Sequence, residues 1–125
     1  MQWVNAFTKA AVVKSYTIHK NVFAISICPG IGVESPTIVG AQAANELLNI
    51  VGIKASFVLT RYNDKIYISS RSIDEINVQL IMERMGGGGH LNVAGAQLKD
   101  CTLEEAIIKL QHTLDQMLEE GEIVL

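Results

Sequence analysis

The sequence predicts an α/β fold: a mixed β-sheet of about three to five strands with helices packed on it. Three observations carry this. Short apolar runs alternate with segments whose apolar residues recur at three- and four-residue spacing. Pro, Gly, Asn-Asp and capping residues punctuate the chain between them. Apolar residues make up 49% of the 125 positions and charged residues 18%, the balance of one globular domain over residues 1–125.

Trp3, Val4, Phe7, Ala10 and Ala11 space an amphipathic helix over 3–15. Residues 21–28 read as a largely buried strand, broken by Pro29-Gly30. Ser35 and Pro36 offer a cap and a first helical position for a helix ending near Gly52. Residues 54–61 and 65–71 form two strands joined at Asn63-Asp64, the pattern of a hairpin. Ser72-Ile73-Asp74-Glu75 offers the start of a helix that the glycines after Met85 end. Residues 93–98 make a short strand. Thr102-Leu103-Glu104-Glu105 has the form of a capping box opening a long helix through Leu118.

The segment most charged with meaning is Gly86-Gly87-Gly88-Gly89-His90. Glycine loses more conformational freedom on folding than any other residue, so four in a row need compensation. Positive φ or very close backbone approach would supply it. Successive exposed N–H groups in such a turn can cradle an anion, with His90 adding a donor. A plain turn between two elements is the competing reading. No Lys-Ser/Thr follows the run, which excludes a P-loop, and its spacing is not that of a dinucleotide fingerprint.

The net charge of −3 and 6% aromatic content argue against long nucleic-acid tracts, not against a small phosphorylated ligand. Cys28 and Cys101 lie far apart without a CxxC, and the three histidines lack zinc-ligand spacing, so two thiols in a reducing compartment are expected. No apolar run reaches the roughly 18 residues that span a bilayer, and the first residues lack a secretory pattern.

Gly86-Gly87-Gly88-Gly89-His90 followed by Ala94-Gly95-Ala96-Gln97-Leu98 resembles the GGGGH…AG signature of the DHHA1 domain, the C-terminal half of DHH-family phosphoesterases. Ile68-Ser69-Ser70-Arg71-Ser72 resembles that family's serine- and arginine-bearing strand end. Asn77 to Met85 looks most like the cyclic-di-AMP phosphodiesterase branch. The resemblance covers roughly residues 20–120. It implies a nucleotide- and phosphate-binding domain that closes over a catalytic DHH domain. That DHH domain would hold two manganese ions and hydrolyse a phosphodiester. This chain has no Asp-His-His triplet. It is therefore expected to be the substrate-binding part of a longer protein, inactive alone and binding no cofactor itself. The full-length protein would be anchored in the bacterial cell membrane, with this domain cytoplasmic and out of contact with the bilayer. Its partners would be a dinucleotide or short oligonucleotide and the DHH domain of the same polypeptide; a homodimer is left open.

The resemblance places substrate contacts at Ser69, Arg71, Ser72, Gly86, Gly87, Gly88, Gly89, His90 and Asn92, with no catalytic or metal-binding residue in this chain. Each has a structural competitor: Arg71 a salt bridge to Asp74 or Glu75, Ser72 a helix cap, His90 a bond that fixes the turn. Arg84 reads as a helix-end cation, and His19 and His112 as solvated or structural. The rival functions are the same domain in an oligoribonuclease or 3′-phosphoadenosine phosphatase, a single-strand exonuclease, and a docking or dimerisation module. The exposure of a Trp3/Phe7 face would bear on the last.

Overall fold

The computed structural model describes residues 10–12, 15–29 and 36–125. The helix expected over 3–15 and the Ser35 cap lie largely outside these residues; 10–12 are helical. The described chain forms β1 (Thr17–His19), β2 (Phe23–Cys28), α1 (Pro36–Leu47), β3 (Ala55–Tyr62), β4 (Lys65–Ser72), α2 (Val78–Arg84), β5 (Gly88–Gly89), β6 (Val93–Lys99) and α3 (Leu103–Glu119). One mixed sheet of six strands, ordered β1-β2-β3-β4-β6-β5, runs through the molecule. The α/β class expected from the sequence holds, with one strand more than the upper figure. The two short edge strands, β1 and β5, had no sequence signal: three and two residues are too few to show a period.

β2 and β3 are parallel, and a parallel pair needs a crossover, which α1 supplies. All other pairings are antiparallel. Asn63 and Asp64 take φ of 53° and 62°, the left-handed pair that closes a two-residue hairpin between Tyr62 and Lys65. Lys20 and Asn21, at 53° and 66°, turn the chain in the three-residue connection between His19 of β1 and Phe23 of β2.

The sheet has an apolar cluster on each face. On one side Phe23, Phe57, Leu59, Ile66 and Ile68 pack against Ile81 and Met82 of α2 and Leu110 and Leu114 of α3. Phe23 and Phe57 meet edge to face, centroids 6.2 Å apart. On the other side Val39, Ala43, Ala44 and Leu47 of α1 cover Ala24, Cys28 and Val58. This α1 layer is narrow. It sits over β2, β3 and part of β4 and lets the same face of β6 open outward.

Helix ends follow the expected chemistry at one place and depart from it at another. Thr102 and Glu105 form the reciprocal capping box, at 3.1 and 2.8 Å. The helix expected from Ser72 starts later. Ser72 ends β4, Asp74 turns the chain with φ 56°, and Asn77 caps α2 by accepting from the Leu80 amide at 3.2 Å. The polar run at 72–75 looked like a cap and first turn, but β4 keeps Ser72 in its ladder.

Candidate functional site

β4 alternates strictly. Ile66, Ile68, Ser70 and Ser72 are buried, while Lys65, Tyr67, Ser69 and Arg71 are half-buried on the opposite face. Ser69 lies opposite Gly95 of β6, and Tyr67 lies opposite Gln97. α1 closes down at the edge of this row: the Ser56 hydroxyl donates to the Ala44 carbonyl at 2.5 Å, and a Cβ at Gly40 would lie 2.8 Å from Thr60 Oγ1. Past that edge the sheet falls away into a groove of about 530 Å³. Tyr67, Ser69, Gly95, Gln97 and Lys99 line it from the sheet, Thr37 from the first turn of α1, and Gly86 and Gly87 from the glycine run.

The glycines have separate jobs. Met85 ends α2, and Gly86 follows with φ 89°. The Gly86 amide donates to the Glu83 carbonyl at 3.1 Å and the Gly87 amide to Met82 at 2.8 Å, a Schellman termination. Gly87 then crosses β6 at backbone contact, and Gly89, at φ 145°, does so again over Ala94. Gly88 and Gly89 pair with Gly95 and Ala94, and the His90 amide donates to the Val93 carbonyl at 2.7 Å. Hydrogen-bonded pairs alternate along an antiparallel ladder, so the Gly88 amide turns to β6 and only the Gly89 amide faces away from it. The nest of successive N–H donors expected from the sequence is therefore not built. The amides of Gly86, Gly87 and His90 already serve the fold, and the run supplies close approach instead.

Of the other expected contacts, Ser69 faces the groove and Arg71 follows it on the same face of β4. The Arg71 guanidinium donates to the Ser70 carbonyl at 2.8 Å, and no carboxylate pairs with it among the described residues. Burial lowers its pKa from the ordinary guanidinium value. The competing ion pair with Asp74 or Glu75 is not formed. His90 is exposed just past β5, outside the lining of the groove.

Ser72 and Asn92 are committed to the fold. The Ser72 hydroxyl donates to the Ile76 carbonyl at 2.6 Å and accepts from Asn92 Nδ2 at 2.9 Å. That lock joins the end of β4 to the loop after β5. Arg84 is held by Glu120 and Glu122 at 2.7 and 2.8 Å, which raise its pKa, so it ties α2 to the end of α3. His19 of β1 bonds Asp115 of α3 at 2.7 Å.

Thr37, Tyr67, Gln97 and Lys99 were not singled out by sequence reasoning. The usable signal for Tyr67 was the period-2 alternation of β4, which puts it on the face of Ser69 and Arg71.

Comparison with known proteins decides the family. The DHHA1 domain model matches residues 20–120. The chain belongs to the DHHA1 family. This DHHA1 domain is 51% identical over 83 residues to cyclic-di-AMP phosphodiesterase PdeA of Listeria monocytogenes, covering 66% of the chain and 13% of that protein. It is 37% identical over 121 residues to cyclic-di-AMP phosphodiesterase GdpP of Bacillus subtilis, covering 94% and 18%. The chain thus spans under a fifth of the length of these curated relatives. Among solved structures, an exopolyphosphatase-related protein from Bacteroides fragilis matches with TM-score 0.78 at 22% identity, over 90% of this chain and 34% of that one. The C-Ala domain of Aquifex aeolicus alanyl-tRNA synthetase matches at 0.57 and 22% identity, over 78% and 98%. These two likenesses show the DHHA1 fold. No described helix is long and apolar enough to cross a membrane.

Proposed function

We propose that this DHHA1 domain grips a phosphorylated nucleotide for a DHH-type phosphodiesterase that hydrolyses cyclic-di-AMP or its linear dinucleotide. One observation supports the reading beyond kinship: a half-buried Arg71, with no carboxylate partner among the described residues, on the same strand face as the open groove at Ser69. A partly desolvated guanidinium without a carboxylate is costly to the fold alone, and a phosphate would satisfy it with charge-assisted, bidentate bonds.

In this proposal Arg71 and Ser69 hold a phosphate while Gly86 and Gly87 keep the rim free of side chains. In the same proposal His90, exposed just past the edge strand, donates to the substrate from outside the groove. Among the described residues no group of three or more His, Cys, Asp or Glu is placed to hold a metal. The two manganese ions implied by the family belong to the DHH domain in this reading, which would be part of the same polypeptide. The membrane anchor of the whole protein and the cytoplasmic side of this domain are part of the same proposal.

Calorimetric titration of the chain with linear di-adenylate and with cyclic-di-AMP tests it. Saturable binding of at least one, weakened about tenfold or more by Arg71→Met, is expected. No saturable binding by the wild type, or full affinity in the variant, contradicts it.

A further inference from the structure

The sheet face beside the phosphate-gripping residues carries an aromatic ring and a carboxamide that the function above does not use. Tyr67 and Gln97 are directly opposed across β4 and β6, and both line the groove. Opposed residues have Cβ atoms about 5 Å apart. Among the described residues Tyr67 is the one aromatic residue lining this groove; it is half-buried, so its ring is held but still reachable. The next opposed pair along the strands, Ser69 with Gly95, places no bulk on the floor. Arg71 follows on the same face. From Tyr67 to Arg71 is four residues, about 13 Å along the strand.

Along this strand face the order is therefore ring and amide, with Lys99 beyond them at the groove's end, then a small polar gap, then the Arg71 cation just outside the groove's lining. A nucleotide has the same order: base, sugar, phosphate. Aromatic faces stack bases without regard to sequence. A carboxamide offers one donor and one acceptor side by side, which matches a base edge presenting the complementary pair. Adenine offers that pair on either of its hydrogen-bonding edges, through its exocyclic amine and a ring nitrogen.

We propose that Tyr67 and Gln97 form a base subsite in which the Tyr67 ring stacks on adenine and the Gln97 carboxamide reads its exocyclic amine and a ring nitrogen. The inference rests on the nucleotide-gripping reading and deepens it. It makes the groove a site for one nucleotide unit, with the base at the Tyr67 end and the phosphate toward Arg71.

Binding of three probes to the full chain tests it: AMP, purine riboside 5′-monophosphate, which lacks the exocyclic amine, and ribose 5-phosphate, which lacks the base. The wild type should prefer AMP over both. Tyr67→Ala should weaken AMP about tenfold, toward the affinity of ribose 5-phosphate, and leave ribose 5-phosphate unchanged. Tyr67→Phe should keep AMP binding. Gln97→Leu should erase the preference for AMP over the amine-free analogue. Unchanged ribose 5-phosphate binding doubles as the folding control for every variant. Equal wild-type affinity for AMP and ribose 5-phosphate overturns this inference and leaves the phosphate grip standing. An equal loss of both ligands in Tyr67→Ala also overturns it. Failure of the wild type to bind any of the three contradicts the grip itself, and the base subsite with it.

Discussion

Gly87 crosses β6 so closely that a Cβ on it would stand 2.1 Å from the Gly95 carbonyl oxygen and 2.6 Å from Ala96 Cα. Both neighbours are backbone, so neither can rotate away. Gly95 is itself confined, since its own Cβ would lie 2.7 Å from the Ile68 carbonyl oxygen. Three neighbouring main-chain segments, at Gly87, Gly95 and Ile68, thus crowd together at one corner of the groove, and glycine is what permits it.

Gly87→Ala should therefore destabilise the fold by about 1–3 kcal/mol, the usual range for forced overpacking. Gly88→Ala, with nothing within 4 Å of its added Cβ, should stay within about 0.5 kcal/mol of wild type. Urea midpoints at constant m-value read the difference. Equal midpoints for the two variants would mean that the close approach does not matter.

The glycine run shows where sequence reading succeeds and where it stops. Its composition announces an unusual backbone, and the AG that follows in β6 names the family. Composition cannot say which amides remain available, because that depends on the Met82 and Glu83 carbonyls and on a two-residue strand. The Thr102 capping box and the Asn63-Asp64 turn were legible because their chemistry is local. The groove was not. It exists because α1 covers β2 and β3 but not β6, a tertiary fact with no local trace. Ser72 and Asn92 illustrate the same limit: 20 positions apart, they are polar and near the motif, yet they bond each other.

Ser70 and Ser72 should respond oppositely to alanine. The Ser70 hydroxyl is fully buried with no hydrogen-bond partner, so Ser70→Ala should be neutral or stabilising by up to about 1 kcal/mol. Ser72→Ala leaves the Ile76 carbonyl and an Asn92 amide proton without their partner, and should lose about 1–3 kcal/mol. Thermal unfolding of the pair checks both signs; a Ser70→Ala variant less stable than Ser72→Ala would be inconsistent with these bonds.

Arg71→Met should leave stability unchanged or raise it, because the half-buried guanidinium has one neutral carbonyl partner and loses solvation on folding. The same substitution is expected to weaken nucleotide binding. A large loss of stability would instead assign Arg71 to the scaffold, which denaturant titration without ligand would reveal.

Cys28 supplies a pH dependence. Burial raises its thiol pKa above the ordinary 9.0, partly offset by the Thr60 hydroxyl beside it. The folded state thus holds the proton more tightly than the unfolded one. That contribution to stability is fully present below about pH 9 and is lost as pH rises through the raised folded value. Stability should fall in that alkaline window, and Cys28→Ala should remove part of the fall. Iodoacetamide at neutral pH should label the partly exposed Cys101 well before Cys28. Faster labelling of Cys28 would contradict the assigned burial.

The most direct measurement is an amide NMR titration of the chain with linear di-adenylate. Saturable shifts are expected in one connected patch, at Ser69, Arg71, Gly86, Gly87, Gly95 and Gln97, with the far edge strand β1, Thr17–His19, unmoved. Absent shifts at millimolar ligand, or shifts confined to the β1 edge, would contradict the groove as the place where this domain holds its nucleotide.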